Sequence, residues 1–441
     1  RRRIVNAAVV GGGLAGCEAA WVLAELGVKV TLYEMRPKVK SRAHQTDSLA
    51  ELVCTNSFKS TDTSNAHGLL KAELRLLGSL LLVIADEVRV PAGSALAVDR
   101  VLFARLVTER VKSHRNIEVV REEVTSLPSP GIVATGPLTS DRLAAVVQER
   151  LGEAHLAFFD AIAPIVAADS LDHNVLYRMS RYGKGGGDDY LNAPFDRERY
   201  YGFVDALVAA EQYEGHNFDK VPYFEGCLPV EEMARRGPDT LRFGPMKPVG
   251  LPDPRTGREP YAVVQLRSED RAGQMWNLVG FQTRLKTGAQ GKVFRMIPGL
   301  EGAEMLRWGS IHRNTYLNSP AVLSAHLSAL DDPRLLFAGQ LVGVEGYTES
   351  LGTGILCGIN LGRILGGDDP VLPPEETMLG SLLRYVHDAD QKSFQPMNAN
   401  FGLLPPLAHR VRDKRKKREA LASRSLDAMS GFVARLNRVP A

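Results

Sequence analysis

Residues 4–35, IVNAAVVGGGLAGCEAAWVLAELGVKVTLYEM, constrain this chain more than any other stretch. A short apolar run ends in Gly11, Gly12, Gly13, Leu14, Ala15 and Gly16, of which Gly11, Gly13 and Gly16 form G-x-G-x-x-G. An Ala-rich segment from about Ala15 to Leu26 predicts a helix, Gly27 ends it, and Val28–Tyr33 predicts a second buried strand. Glu34 follows, 18 residues after Gly16. Gly11 permits the tight turn, Gly13 admits a pyrophosphate close to the backbone, and Gly16 lets helix and strand pack closely. The helix start offers free N–H groups and a partial positive charge. A carboxylate at Glu34 suits a ribose hydroxyl and repels a 2′-phosphate. Strand, triplet, helix, strand and acid in this order predict a Rossmann-type α/β unit. Cys17, one residue past Gly16, reads as a small packing residue.

Two further glycine fragments lie far downstream. Residues 335–366, LLFAGQLVGVEGYTESLGTGILCGINLGRILG, predict a strand ending at Gly339, then Gln340 and a glycine-broken loop. Gly352, Thr353 and Gly354 are expected to open a helix over about Ile355–Leu365, with Cys357 packed inside it. GIVATG at 131–136 predicts a strand leading into Ala134, Thr135 and Gly136. The three fragments make sense as one site. Together they resemble the glutathione-reductase-like flavoprotein fold, which implies FAD as the tightly held cofactor. Gln340 stands where many members of that fold carry Asp.

The chain has 441 residues, 44% hydrophobic and 24% charged, with net charge +3. That composition is ordinary for a globular protein and long enough for two or three domains. Four widely spaced cysteines, with no CxxC, exclude a zinc-finger or thioredoxin-like pattern and read as free thiols of a cytoplasmic enzyme. No metal site is expected. The longest apolar run, LGSLLLVIA, is under half the ~20 residues of a membrane span. The opening RRR leads directly into a strand, unlike a secretory signal.

The expected organisation is a first FAD-binding part at 1–165, an inserted α+β substrate domain at 166–325, and a second FAD-binding part at 326–441 with a basic end. The inserted stretch mixes basic and aromatic residues around a Gly loop, as in YRMSRYGKGGGDDYLNAPFDRERYY. Cations for phosphates beside rings for unstacked bases suit RNA. Arg178, Arg181, Lys184, Arg284 and Lys286 are candidate contacts. RVRDKRKKR at 410–418 holds seven basic residues in nine, so Arg415, Lys416 and Lys417 join them. Cys227, in YFEGCLPVEEMARRG, precedes a short predicted helix, whose N-terminus favours a thiolate. Cys54, in ELVCTNSFKS, lies in a polar loop, an unusual place for a structural cysteine. These two are the candidate catalytic thiols.

The motifs VVGGGLAG, ELVCTNSFKS, ALAVDR, VATGPLTSD, YFEGCLPVEEMARRG, LRFGPMKPVGL, GFQTRLK, IHRNTYLNSP, FAGQLVGVEGYTESLGTG and PMNANFGLLPPL span nearly the whole chain. In them the chain resembles the TrmFO family of folate- and FAD-dependent tRNA (uracil-5-)-methyltransferases. The resemblance implies transfer of a one-carbon unit from 5,10-methylenetetrahydrofolate to the T-arm uridine of tRNA, giving ribothymidine. FAD would be reduced by NADH or NADPH. Cys227 would add to C6 of uracil, which makes C5 nucleophilic. Cys54 would serve as proton acceptor or second thiol. Arg313, Asn314, Glu345 and Glu349 are candidates for the folate. The partners implied are tRNA and folate, with no membrane and no obligate protein partner. One alternative is the GidA/MnmG type of wobble-uridine enzyme, which is expected to carry a longer helical C-terminal region than the 75 residues after this last flavin helix. A plain flavin oxidoreductase and a flavin-stabilised RNA-binding protein are the others.

Overall fold

The computed structural model describes residues 5–41, 43–152, 156–213 and 228–436, with only the backbone described at 156–162 and 311–314. The first strand, Asn6–Val10, is flanked by Lys29–Glu34 on one side and Gly131–Val133 on the other, both parallel to it. Ile117–Arg121 and Asp332–Phe337 extend this sheet on either edge, again in parallel, and Ser328–Ala329 closes it antiparallel. The chain leaves Asn6–Val10 to one side first and occupies the other side only later. That makes the carboxyl end of this strand a switch point, where α/β sheets open a crevice for ligands.

The helix Leu14–Glu25 packs against the sheet through Ala, Cys and Leu side chains with almost no exposure. A long helix, Tyr347–Gly366, lies directly on it. The two approach closely because a Cβ at Gly354 would stand 2.3 Å from Ala15 O, and one at Gly362 2.5 Å from Leu26 Cδ1. This corrects the expected helix start at Gly352. The helix begins five residues earlier, at Tyr347, after Gly346. Glycines that looked like a ligand loop in the sequence are the small side of a helix–helix contact.

The middle of the chain builds a second sheet, antiparallel throughout, in the order Tyr177–Arg178, Tyr190–Phe195, Ala262–Ser268, Met275–Leu278, Ile165–Ala167, Met305–Arg307. It has its own core, including Phe195, Tyr200, Phe203, Trp276, Phe281 and Phe294. Two long antiparallel strands, Leu156–Ile162 and Ser310–Tyr316, lead into and out of this region. The last described helix, Lys414–Leu436, packs Leu421, Met429 and Phe432 onto the first core. Among the described residues, no helix is long and apolar enough to cross a membrane.

Candidate active site

A cleft opens at the carboxyl ends of the parallel strands. Gly11–Ala15, Glu34, Ala134–Gly136, Gly339 and Gln340 all line it, so the three glycine fragments converge. Gly11 has φ +106, and a Cβ there would lie 2.5 Å from Ala134 O. At Gly16 a Cβ would meet Gly11 O at 1.8 Å. Gly13, by contrast, has nothing within 4 Å of its Cβ position, which leaves room for a ligand against the helix start.

Glu34 is held from two directions. Its Oε2 accepts from Gly12 N at 3.0 Å, and its Oε1 from Arg36 N at 3.0 Å and Arg36 Nε at 2.9 Å. Burial works to raise its pKa, but the Arg36 guanidinium outweighs it and holds the carboxyl below its ordinary value. Arg36 also bonds Thr46 O at 3.0 Å and Glu51 Oε2 at 3.1 Å. Neither Arg36 nor Glu51 was singled out in the sequence, although Arg36 stands only two residues past the expected acid. His44, also in the cleft wall, is pushed down to about 4 by burial and by Arg36, so its ring is neutral at pH 7.

Gly352, Thr353 and Gly354 do not line the cleft. Thr353 Oγ1 accepts from Gly339 N at 2.8 Å and so fixes the strand end, while Gly352 faces Leu379 and Leu74. The cleft is instead closed by Tyr347 and Ser350, from the first turn of the same helix.

The loop that carries Cys54 is fastened residue by residue. Arg100 Nη1 donates to Leu52 O at 3.1 Å, and Arg307 Nη2 to Val53 O at 2.8 Å. The N–H groups of Cys54 and Thr55 both donate to the Tyr347 hydroxyl, at 3.0 and 3.1 Å. Arg267 Nη2 reaches Thr55 Oγ1 at 2.7 Å and its Nε reaches Asn56 Oδ1 at 3.0 Å. Asn56 Nδ2 then bonds Val98 O and Ser268 O, each at 2.9 Å. Arg267 and Arg307 belong to the second sheet, which therefore grips the cysteine loop. Burial, then the nearby Cys54, raises the Tyr347 pKa, so the phenol keeps its proton. Burial and Arg100 lower that of Arg307.

A second pocket lies at the seam where the second sheet meets the Cys54 loop and the strand Ser57–Ser60 that follows it. Cys54, Thr55, Ser57 and Lys59 form one side of it, and Arg267, Asn277, Val279, Gly280 and Gln282 the other, with Ala163 between. Val53 lines the long cleft and Cys54 the seam pocket, so adjacent residues of one loop wall both spaces. Cys227 lies outside the described residues. The chain resumes at Leu228, and Val230 N donates to Gln282 O at 2.7 Å. Cys17 and Cys357 are fully buried, bonded to Gly12 O and Phe337 O, as packing residues should be.

The remaining candidates scatter. Glu345 is buried and bonded to Gln340. Glu349 points away from the cleft, to His67 Nδ1 at 3.2 Å and Ala399 N at 2.9 Å. Arg313 and Asn314 lie on Ser310–Tyr316, opposite Phe159 and Phe158; their side chains are outside the description. Of the basic residues, Arg181 is engaged by Lys247 O and Gln265, and Arg284 by Gln212 and Glu232. Lys286 pairs with Glu211 at 3.0 Å, Arg415 with Glu419 at 2.9 Å, and Arg178 lies over the Trp276 ring. Lys184, Lys416 and Lys417 are exposed. Hydrogen bonds from Ser64, with its N–H at 2.8 Å, hold the Asp62 carboxyl below its ordinary pKa.

The description "Glucose inhibited division protein A" belongs to the family model that matches residues 6–369. A curated protein of Geobacter sulfurreducens, named methylenetetrahydrofolate--tRNA-(uracil-5-)-methyltransferase TrmFO, is 57% identical over 428 residues, covering 97% of this chain and 98% of that protein. A protein of the same name from Moorella thermoacetica is 54% identical over 421 residues, covering 95% and 96%. Among solved structures, Aquifex aeolicus GidA in crystal form II superposes with TM-score 0.71 at 15% identity, over 99% of this chain and 74% of that one. Its form I gives TM-score 0.66, also at 15% identity, over 99% and 78%. At that identity the likeness shows the fold. With the family model and the curated relatives, it means that the chain belongs to the glucose inhibited division protein A family and, within it, to the TrmFO methyltransferases.

Proposed function

We propose that this chain makes ribothymidine in tRNA. It would take the one-carbon unit of 5,10-methylenetetrahydrofolate to C5 of the T-arm uridine, with FAD in the long cleft and NADH or NADPH as reductant. The observation that carries this reading is the Cys54 loop, which walls a dinucleotide cleft on one side and a polar seam pocket on the other.

The cleft fits FAD by the chemistry of its donors. The open face of Gly13 and the helix start at Leu14 would hold the pyrophosphate, and the Glu34 carboxylate the ribose. Once reduced, FAD supplies the electron pair that turns a methylene into a methyl group. The protein's own residues do the rest. Uracil C5 is a weak nucleophile until a thiolate adds to C6 and makes an enolate. Cys227 is assigned that addition by its motif; the chain just beyond it is tied to Gln282, in the seam-pocket wall. C5 then bonds to the folate-derived carbon, whose bonds to the folate nitrogens break to release tetrahydrofolate, a base removes the C5 proton, and the C6–S bond breaks as the ring double bond re-forms. Cys54 is assigned the proton transfer or the role of second thiol. Methylenetetrahydrofolate, uridine, NAD(P)H and a proton thus give tetrahydrofolate, ribothymidine and NAD(P)+. The exposed Lys184, Arg415, Lys416 and Lys417 are the groups we assign to RNA phosphates. A tRNA substrate makes the cytoplasm the expected compartment.

The test is to incubate unmodified tRNA transcript with the protein, FAD, methylenetetrahydrofolate and NADPH, then digest it for nucleoside analysis. Ribothymidine that requires folate is expected. Flavin that cycles without any ribothymidine would defeat the proposal.

A further inference from the structure

Asn277 sits in the middle of a strand, Met275–Leu278, between two hydrogen-bonded neighbours. Such positions disfavour Asn, whose polar side chain gains nothing from the sheet. It is 3% exposed, and its Nδ2 has no hydrogen-bond partner among the described residues. A buried amide N–H without an acceptor weakens the fold, so it calls for an explanation. Its place supplies one. Asn277 is directly opposite Arg267 in the sheet, so both side chains share a face, and both line the seam pocket beside Cys54. Arg267 is already fixed by Thr55 and Asn56, which holds that wall rigid.

The pocket suits one kind of ring. Ala163, Val279 and Gly280 give it apolar surface, while Thr55, Ser57, Arg267, Asn277 and Gln282 give it a polar edge. None of its described lining residues is a carboxylate. A pterin, with its amine-bearing edge, calls for a carboxylate, whereas a pyrimidine with carbonyl oxygens calls for N–H donors. Lys59 is exposed at the rim, where it could meet a nucleotide phosphate.

We infer that the seam pocket receives the extruded target base, and that the side-chain amide of Asn277 reads its C4 carbonyl and so selects uracil over cytosine. The inference rests on the proposed methyltransferase reaction. A base taken out of its stack is commonly read by hydrogen bonds to its Watson–Crick edge, and buried polar groups at that edge make the reading selective. Asn277 is a specificity residue here; the thiols carry the chemistry.

The test compares transcripts with uridine or cytidine at the target position, using wild type, Asn277→Asp and Asn277→Leu. Products are counted as ribothymidine and 5-methylcytidine. Asn277→Leu should lower kcat/KM on the uridine transcript about 10- to 100-fold. Asn277→Asp, an acceptor where an amide stood, should shift the uridine-to-cytidine ratio toward cytidine by about ten-fold or more. The ratio does not depend on how much protein is folded, so a purely structural role would leave it unchanged. An unchanged ratio overturns the inference, whether or not kcat/KM falls. If neither variant folds, the wild type is tested with 4-thiouridine at the target, whose sulfur is a poor acceptor. A several-fold slower reaction supports the inference and an equal rate overturns it. A wild type that makes no ribothymidine on its ordinary transcript would instead refute the reaction itself.

Discussion

The long cleft and the seam pocket share a wall, yet they are made of different material. Where it would hold a pyrophosphate the cleft offers main chain: Gly11–Ala15, the Ala134–Gly136 turn and Gly339. The seam pocket offers side chains: a thiol, two hydroxyls, an ammonium, a guanidinium and two amides. A main-chain site can accept many neighbouring side chains but very few added Cβ atoms. A side-chain site has the opposite tolerance. Changes in each should therefore fail in different ways.

The largest effect is expected at Gly16. In Gly16→Ala the new methyl carbon would lie 1.8 Å from Gly11 O and 3.0 Å from Gly11 C, backbone atoms that cannot swing aside as a side chain would. The turn must open, with loss of bound flavin and a stability loss of about 3 kcal/mol. Flavin absorbance of the purified protein and a urea melt measure both. Gly13→Ala sharpens the comparison, because nothing lies within 4 Å of that Cβ. It should fold normally and bind flavin more weakly. Equal flavin content in the two variants would mean that the cleft is not built on main-chain approach.

A smaller effect is expected where the two spaces meet. The Tyr347 hydroxyl accepts from both Cys54 N and Thr55 N. Tyr347→Phe keeps the ring against Phe58 and removes that oxygen. Two N–H groups lose their acceptor, a penalty of about 1–3 kcal/mol. Flavin should stay bound while ribothymidine formation falls about 10- to 100-fold, because small displacements of reacting groups cost that much. Turnover within two-fold of wild type would show that Arg100, Arg267 and Arg307 hold the loop without the phenol.

The same contrast explains what was legible in the sequence. The Rossmann unit could be read because strand, glycines, helix and acid are contiguous, and each glycine answers a local backbone demand. Cys54 stood out because its neighbours are polar. Tyr347 did not, since it touches the Cys54 loop across 293 residues of chain. Asn277 and Arg267 are silent for the same reason: they become neighbours only through strand pairing. The glycines at 352 and 354 misled because a Gly-x-Gly run looks alike at a ligand loop and at a tight helix contact. Only the packing of Ala15 against Gly354 distinguishes them.

The smallest effect at pH 7 is expected beneath the shared wall, at Lys71. It is fully buried, and its Nζ donates to Phe58 O at 2.6 Å and His67 O at 2.8 Å. Phe58 packs on Tyr347, with ring centroids 5.5 Å apart, so Lys71 supports the residue that supports the phenol. Burial pushes its pKa down from 10.5 to about 7, against the pull of Glu349. Between those values the unfolded chain binds a proton that the folded one does not, so this group makes stability rise with pH over that window. Lys71→Met keeps the length and removes the titration. At pH 7 the variant should lie within about 1 kcal/mol of wild type, since a well-packed apolar replacement of a buried charge is often near neutral. From pH 7 to 10 wild type should gain on it by about 1 kcal/mol per pH unit. Urea unfolding at each pH measures the difference. A difference that does not change with pH would mean that Lys71 stays charged inside the fold.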